Sequence, residues 1–246
     1  MSLSIVVLAG GKGTRIKPIL GNTPKILAPI GGKTFLDWLL KWIDNWKLDT
    51  NNKIILSTGI GHQEVENYCK KNNYKVICID EIKPLGTFGA IANVASKFYS
   101  EDYLVINGDT IFDANFKNLY EKYYENTKKP TIILKKSIKN KRYGGYKKTA
   151  QGWVFTKEKS QFISLGAFFI SYENLKKRWA QKTNIPFDAI SINKKIEREM
   201  FIDSDCFGEN PISAVTLKDD IYFLDIGIPS SYSKSQNCIP LFINKY

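Results

Sequence analysis

The chain lacks several features that would each signal a class of function. No apolar run approaches the roughly 18 residues that a membrane-spanning helix needs, so no membrane partner is expected. The opening, MSLSIVVLAGGKGTR, has no basic segment before its short apolar run, and that run stops at Gly-Gly. A secretory leader is therefore not expected. The four cysteines, Cys69, Cys78, Cys206 and Cys238, are scattered and form no CxxC pair. They read as reduced thiols of a cytoplasmic protein, not as a disulfide frame or a zinc site. The one histidine, His62, sits among polar residues before a predicted helix and reads as an exposed helix start with no chemical role. No internal repeat, low-complexity tract or Pro/Ser/Gly-rich linker interrupts the chain.

What the chain has in excess is positive charge, 36 Lys and Arg against 24 Asp and Glu, a net +12. Such an excess suits nucleic acid, an anionic membrane surface or small polyanionic substrates, and it is equally the mark of a lysine-rich solvated surface. The lysines come as dispersed pairs such as Lys70-Lys71, Lys135-Lys136 and Lys176-Lys177, with no block of five or six. A nucleic-acid partner is therefore not expected.

At 246 residues, 43% of them hydrophobic, the chain can bury a substantial core. Its first half alternates strand and helix. Ser4–Leu8 is a continuous apolar run, the pattern of a strand buried on both faces. Thr34–Trp46 sets Phe35, Trp38, Leu39, Trp42, Ile43 and Trp46 at helical spacing, and the tryptophan stripe reads as core or a subunit contact. Strands are predicted at Lys53–Ser57, Lys75–Ile79 and Tyr103–Ile106, and helices at Gln63–Lys71 and Thr87–Phe98. This β-α-β-α order argues for a mostly parallel sheet with helices on both sides.

The rhythm changes after Asp113. Helices are predicted at Phe116–Tyr124, Tyr172–Gln181 and Phe187–Glu199, and strands at Thr131–Lys135, Trp153–Thr156, Phe162–Ile170 and Tyr222–Leu224. Gly144-Gly145 and Gly152 are turn signals, and Pro229 suits the first position of a last helix. With no linker between the halves, residues 1–246 read as one domain, with a nucleotide-binding half over 1–115 and a second half over 116–246 built onto it.

The stretch VVLAGGKGTRIKPILGNTPK, Val6 to Lys25, leaves the first strand through Gly10, Gly11 and Gly13 and places Thr14, Arg15 and Lys25 around the turn. Glycines let backbone N–H groups approach a phosphate, and Arg15 and Lys25 add fixed positive charge. The plain alternative is a tight turn with incidental cations. The dinucleotide fingerprint G-x-G-x-x-G is not met, because Ile16 stands where its third glycine belongs. Gly32-Lys33-Thr34 resembles the end of a P-loop, but Leu27 occupies the required glycine position. Two aspartates, Asp109 in Asn107-Gly108-Asp109 and Asp225 in YFLDIGIPSSY, each follow an apolar strand and neighbour a glycine. One such aspartate is a common turn former. Two suggest a shared cation, and Mg²⁺ takes one or two carboxylates plus phosphate oxygens.

The order G-G-x-G-T-R then P-K, here Gly10 to Arg15 and Pro24-Lys25, resembles the signature of sugar-phosphate nucleotidyltransferases, the NDP-sugar pyrophosphorylases. NGDT and DIGIPSSY resemble that family's two metal-aspartate motifs, so the likeness runs from residue 5 to about residue 232. It implies a Rossmann-like, three-layer α/β/α fold with a mixed, mostly parallel central sheet. It also implies a reaction of an NTP with a sugar 1-phosphate, with Mg²⁺ on Asp109 and Asp225, and Arg15 and Lys25 on the phosphates. By the same likeness Leu8, Gly10, Gly11, Gly13, Thr14, Glu81, Gly86 and Thr87 meet the nucleotide. Asn107, Gly144, Glu158 and Lys159 then line the sugar-phosphate site, although Glu158-Lys159 taken alone is an ordinary surface pair.

DEIKPLGTFGAI resembles the segment that reads the base, where relatives often carry PLGTGGAI. Phe88 departs from that pattern and either crowds the sugar pocket or packs into the core. An ionised Glu81 accepts hydrogen bonds only, which suits the N1–H and N2–H₂ donors of guanine and repels the carbonyls of uracil or thymine. This favours GTP, unless Glu81 is simply a surface residue after the third strand. Among subfamilies the sequence most resembles bacterial D-glycero-α-D-manno-heptose 1-phosphate guanylyltransferases, which serve surface polysaccharide. Mannose 1-phosphate guanylyltransferases are next, and a cytidylyltransferase is further away. A regulatory paralogue without turnover is disfavoured because Arg15, Lys25 and both aspartates are kept. A homodimer is left open.

Overall fold

The apolar run near the start of the chain becomes a strand buried on both faces. Ile5 and Val7 pack into one core and Val6 into a second core on the other side of the sheet. The computed structural model describes residues 2–48, 53–137, 145–156, 158, 160–195 and 212–245.

Through the first half the elements are β1 (Leu3–Ala9), α1 (Lys17–Leu20), a 3-10 turn (Lys25–Leu27), β2 (Pro29–Ile30), β3 (Lys33–Thr34), α2 (Phe35–Asp44), β4 (Lys53–Thr58), α3 (His62–Lys71), β5 (Val76–Asp80), α4 (Gly86–Lys97) and β6 (Asp102–Asn107). There follow β7 (Thr110–Phe112), α5 (Phe116–Glu125), β8 (Thr131–Lys136), β9 (Gly145–Thr149), β10 (Gly152–Thr156), β11 (Phe162–Ser171), α6 (Tyr172–Lys182), α7 (Ala189–Lys195), β12 (Ser213–Leu217), β13 (Phe223–Asp225) and α8 (Pro229–Ile243).

Among the described residues nine strands form one mixed sheet. Its path is β10-β9-β11-β6-β1-β4-β5, with β8 joined to β11 and β12 to β8. β5, β4, β1 and β6 run parallel, and β11 meets β6 antiparallel. The two-residue period of each strand sorts its side chains between the cores. Leu56, Leu104 and Ile106 join Ile5 and Val7 under α2, α3, α5 and α8, while Ile55 and Val105 join Val6 under α4, α6 and α7. This is the three-layer architecture expected. Each large apolar side chain so buried contributes about 1.5–3 kcal/mol. Among the described residues no helix is long and apolar enough to cross a membrane.

Local signals explain the element ends. Thr34 caps α2, with its hydroxyl accepting from the Asp37 N–H while Asp37 accepts from the Thr34 N–H. Trp38, Trp42 and Trp46 all lie in the core. Trp42 meets Trp46, Phe112 and Phe116 edge-on and donates its indole N–H to the Phe112 carbonyl at 3.0 Å. α1, the 3-10 turn, β2, β3, β7, β9 and β12 go beyond the elements expected from the sequence. Gly145 is no turn residue but opens β9, whose later residues Lys147, Lys148 and Thr149 are exposed. Gly144, Cys206 and the end of the helix expected to reach Glu199 lie outside the described residues. Cys69, Cys78 and Cys238 are free thiols. His62 does open α3, but it is half-buried, with Nδ1 2.7 Å from the Thr58 hydroxyl.

Candidate active site

From β1 the sheet grows outward through β4 to β5, and β6 then returns to the opposite side of β1. Such a reversal opens a crevice at the carboxyl ends of the strands, where open α/β sheets bind ligands. A cavity of about 360 Å³ lies there. The end of β1 contributes Leu8, Gly10 and Gly11, and the end of β6 contributes Asn107, Gly108 and Asp109. Glu81 follows β5, Gly86 and Thr87 form the first turn of α4, and Lys25 opens the 3-10 turn. Helix N-termini present N–H groups that favour anions. Gly108 has to be glycine, because a Cβ there would lie 2.7 Å from the Leu8 carbonyl oxygen, which accepts from the Gly108 N–H at 2.9 Å. The tight crossing sends Asp109 into the crevice.

Lys25 Nζ donates to Asp109 Oδ2 at 2.6 Å, and Thr110 Oγ1 donates to Asp109 Oδ1 at 2.9 Å. Each side chain of the Lys25–Asp109 pair keeps about a fifth of its surface exposed, 21% and 23%. Asp225 arrives from 116 residues further along. β13 pairs antiparallel with β7, setting Asp225 opposite Thr110, and the Ile226 N–H donates to the Asp109 carbonyl at 2.9 Å. The two aspartates therefore stand on adjoining backbone. Asp225 is buried, and its Oδ1 accepts from the Gly227 N–H at 2.9 Å. Among the described residues no set of three or more His, Cys, Asp and Glu gathers as a metal centre. Asp225 does not line the cavity, and Asp109 and Asp225 are the carboxylates that could hold Mg²⁺, which takes one or two carboxylates plus phosphate oxygens.

Glu81 is not a surface residue: it is 7% exposed. Ser57 Oγ donates to Glu81 Oε1 at 2.9 Å, and the Leu85 N–H approaches Oε2 at 3.4 Å. The carboxylate lies so close over Gly10 that a Cβ there would sit 2.6 Å from Oε1.

The other sequence candidates fall outside this cavity. Gly13 lines an adjoining cavity of about 250 Å³ that shares Gly11, Lys12 and Lys25 with the first. Thr14 and Arg15 are exposed on the same loop. Glu158 is exposed and pairs with Lys147. Gly144 and Lys159 lie outside the described residues. Phe88 is fully buried, 5.5 Å from the Trp179 ring, so it packs into the core and does not line the cavity. Sequence reasoning passed over Lys12, which lines both cavities and stands inside the glycine motif itself, and Ser57, whose burial against Glu81 has no local sequence signal.

The nucleotidyl transferase family profile matches residues 4–239, and the chain belongs to that family. Over 248 residues it is 29% identical to the D-glycero-alpha-D-manno-heptose 1-phosphate guanylyltransferase of Aneurinibacillus thermoaerophilus, spanning 98% of this chain and 100% of that one. The enzyme of the same description from Campylobacter jejuni is 28% identical over 236 residues, spanning 94% and 97%. The crystal structure of HddC from Yersinia pseudotuberculosis complexed with GMP-PN superposes with a TM-score of 0.72 at 25% identity, covering 97% of this chain and 99% of that one.

Proposed function

We propose that the chain joins GTP to D-glycero-α-D-manno-heptose 1-phosphate, giving the GDP-sugar and pyrophosphate for surface polysaccharide synthesis in the cytoplasm. The observation that carries this reading is the meeting of Gly10, Gly11, Lys25, Glu81 and Asp109 in one cavity, with Asp225 on the adjoining strand. Full-length likeness to heptose 1-phosphate guanylyltransferases supports the choice of substrates.

An oxygen of the sugar phosphate attacks the α-phosphorus of the NTP. A new P–O bond forms, the bond from that phosphorus to the α,β-bridging oxygen breaks, and pyrophosphate leaves with the electron pair. The attacking group is already an anion, so no Ser, Cys or His nucleophile is needed. The protein supplies alignment and charge. The glycine turn holds the triphosphate through backbone N–H groups, Lys25 faces the transferred phosphoryl group, and Arg15 on the exposed side of the loop meets the leaving pyrophosphate. Asp109 and Asp225 would hold Mg²⁺, which supplies charge to the phosphate oxygens when bound. Asn107, Gly144, Glu158 and Lys159 are assigned to the sugar phosphate. Glu81 reads guanine with its two oxygens.

A pyrophosphate-release screen crossing the four NTPs with heptose, mannose and glucose 1-phosphates tests this. Turnover is expected to be strongest with GTP and the heptose. Strong turnover with UTP or CTP and none with GTP would overturn the base assignment, and a preference for mannose 1-phosphate would replace the sugar.

A further inference from the structure

We infer that Ser57 is a positioning residue for nucleobase choice: its buried hydroxyl fixes the Glu81 carboxylate in the one orientation that meets both donors of guanine. The inference rests on the proposed reading of guanine by Glu81 and adds how that carboxylate is held.

Ser57 is fully buried near the end of β4, flanked in register by Leu8 of β1 and Ile79 of β5. It does not line the cavity, so it acts through its neighbour. The Glu81 backbone N–H is tied to the Thr58 carbonyl at 2.6 Å, which fixes where the side chain starts. The carboxylate is then restrained on three sides. Ser57 donates to Oε1, the Leu85 N–H lies near Oε2, and Gly10 leaves room beneath that any side chain would fill. Gly10 is itself hemmed in, since a Cβ at Gly59 would lie 3.1 Å from its carbonyl oxygen.

A carboxylate oxygen accepts more than one hydrogen bond. A bond from Ser57 therefore orients Oε1 without exhausting it. Guanine offers N1–H and N2–H₂ side by side, so it rewards a carboxylate whose plane is set. Without the hydroxyl the group turns more freely. Hypoxanthine keeps N1–H and lacks the 2-amino group, which makes ITP the probe of that second contact.

The test is equilibrium binding of GTP and ITP by calorimetry, without sugar phosphate, to the wild type and to Ser57→Ala, Ser57→Thr and Glu81→Gln. The wild type is expected to prefer GTP by about ten- to a hundredfold, the worth of one buried hydrogen bond. Ser57→Ala is expected to bring the ratio close to one, and Ser57→Thr, which keeps the hydroxyl, to restore it. A merely structural role would weaken both nucleotides equally and leave the ratio unchanged. If Glu81→Gln abolishes the preference while Ser57→Ala retains it, the positioning role is overturned and the reading by Glu81 stands. If the wild type does not discriminate, or Glu81→Gln still does, guanine reading by Glu81 fails and the role of Ser57 falls with it. Should Ser57→Ala not fold, Ser57→Cys, similar in size but a weak donor, is measured in its place.

Discussion

Lys25 and Asp109, 84 residues apart in sequence, are joined by a 2.6 Å ion pair in the crevice. Both were legible in the sequence because short motifs carry them: a proline-lysine step after a glycine turn, and an aspartate at a strand end. Ser57 was not legible, since a serine in an apolar strand says nothing until folding sets it against Glu81. Asp109→Ala and Arg15→Ala are each expected to lower kcat by about 10²–10³, the cost of one preorganised electrostatic contact, with melting temperatures near that of the wild type. Steady-state pyrophosphate release and thermal melts check this. Near-normal turnover in either variant removes that residue from the mechanism.

At the scale of elements, the apolar and helical periods of the first half matched the observed strands and helices closely, because those segments bury a regular face. β9 was harder to see because Lys147, Lys148 and Thr149 are exposed and only Gly145 and Tyr146 are buried. β7 has three residues and no period to read. The junction of α2 with α3 yields a pH prediction. Asp37 accepts from the Tyr68 hydroxyl at 2.9 Å and from the Tyr74 hydroxyl at 2.6 Å. Burial pushes the Asp37 carboxyl up, but the bonds from Tyr74, Thr34 and Tyr68 outweigh it and hold the group below its ordinary value. A lowered folded pKa gives stability that is present above the unfolded value, near 3.9, and lost as pH falls through the folded one. Asp37→Asn is therefore expected to destabilise the protein at neutral pH, by less than about 1 kcal/mol for a part-exposed group screened by solvent, and to narrow the gap to the wild type below about pH 4. Urea titrations across that range check it, and a gap that does not change with pH refutes the assignment.

For the whole molecule, the net charge of +12 suits substrates that are themselves polyanions. Long-range attraction acts on encounter and is screened by salt. kcat/KM for the NTP is expected to fall several-fold from low ionic strength to about 0.5 M salt, where the Debye length is only a few ångströms, while kcat changes little. Stopped-assay kinetics across a salt series separate the two, and an unchanged kcat/KM would mean that the charge is a solvated coat with no steering role. Fold class was readable from the order of elements. The pairing of β11 with β6 was not, because it joins segments about 60 residues apart with no local signal.

That pairing has a mechanical consequence. β6 is stitched to β1 along one edge and to β11 along the other. Swinging the early half away from the late half would mean shearing a row of backbone bonds through the middle of the sheet. Among the described residues the sheet therefore carries no hinge between the two halves, and the crevice at its carboxyl ends rests on an unbroken floor.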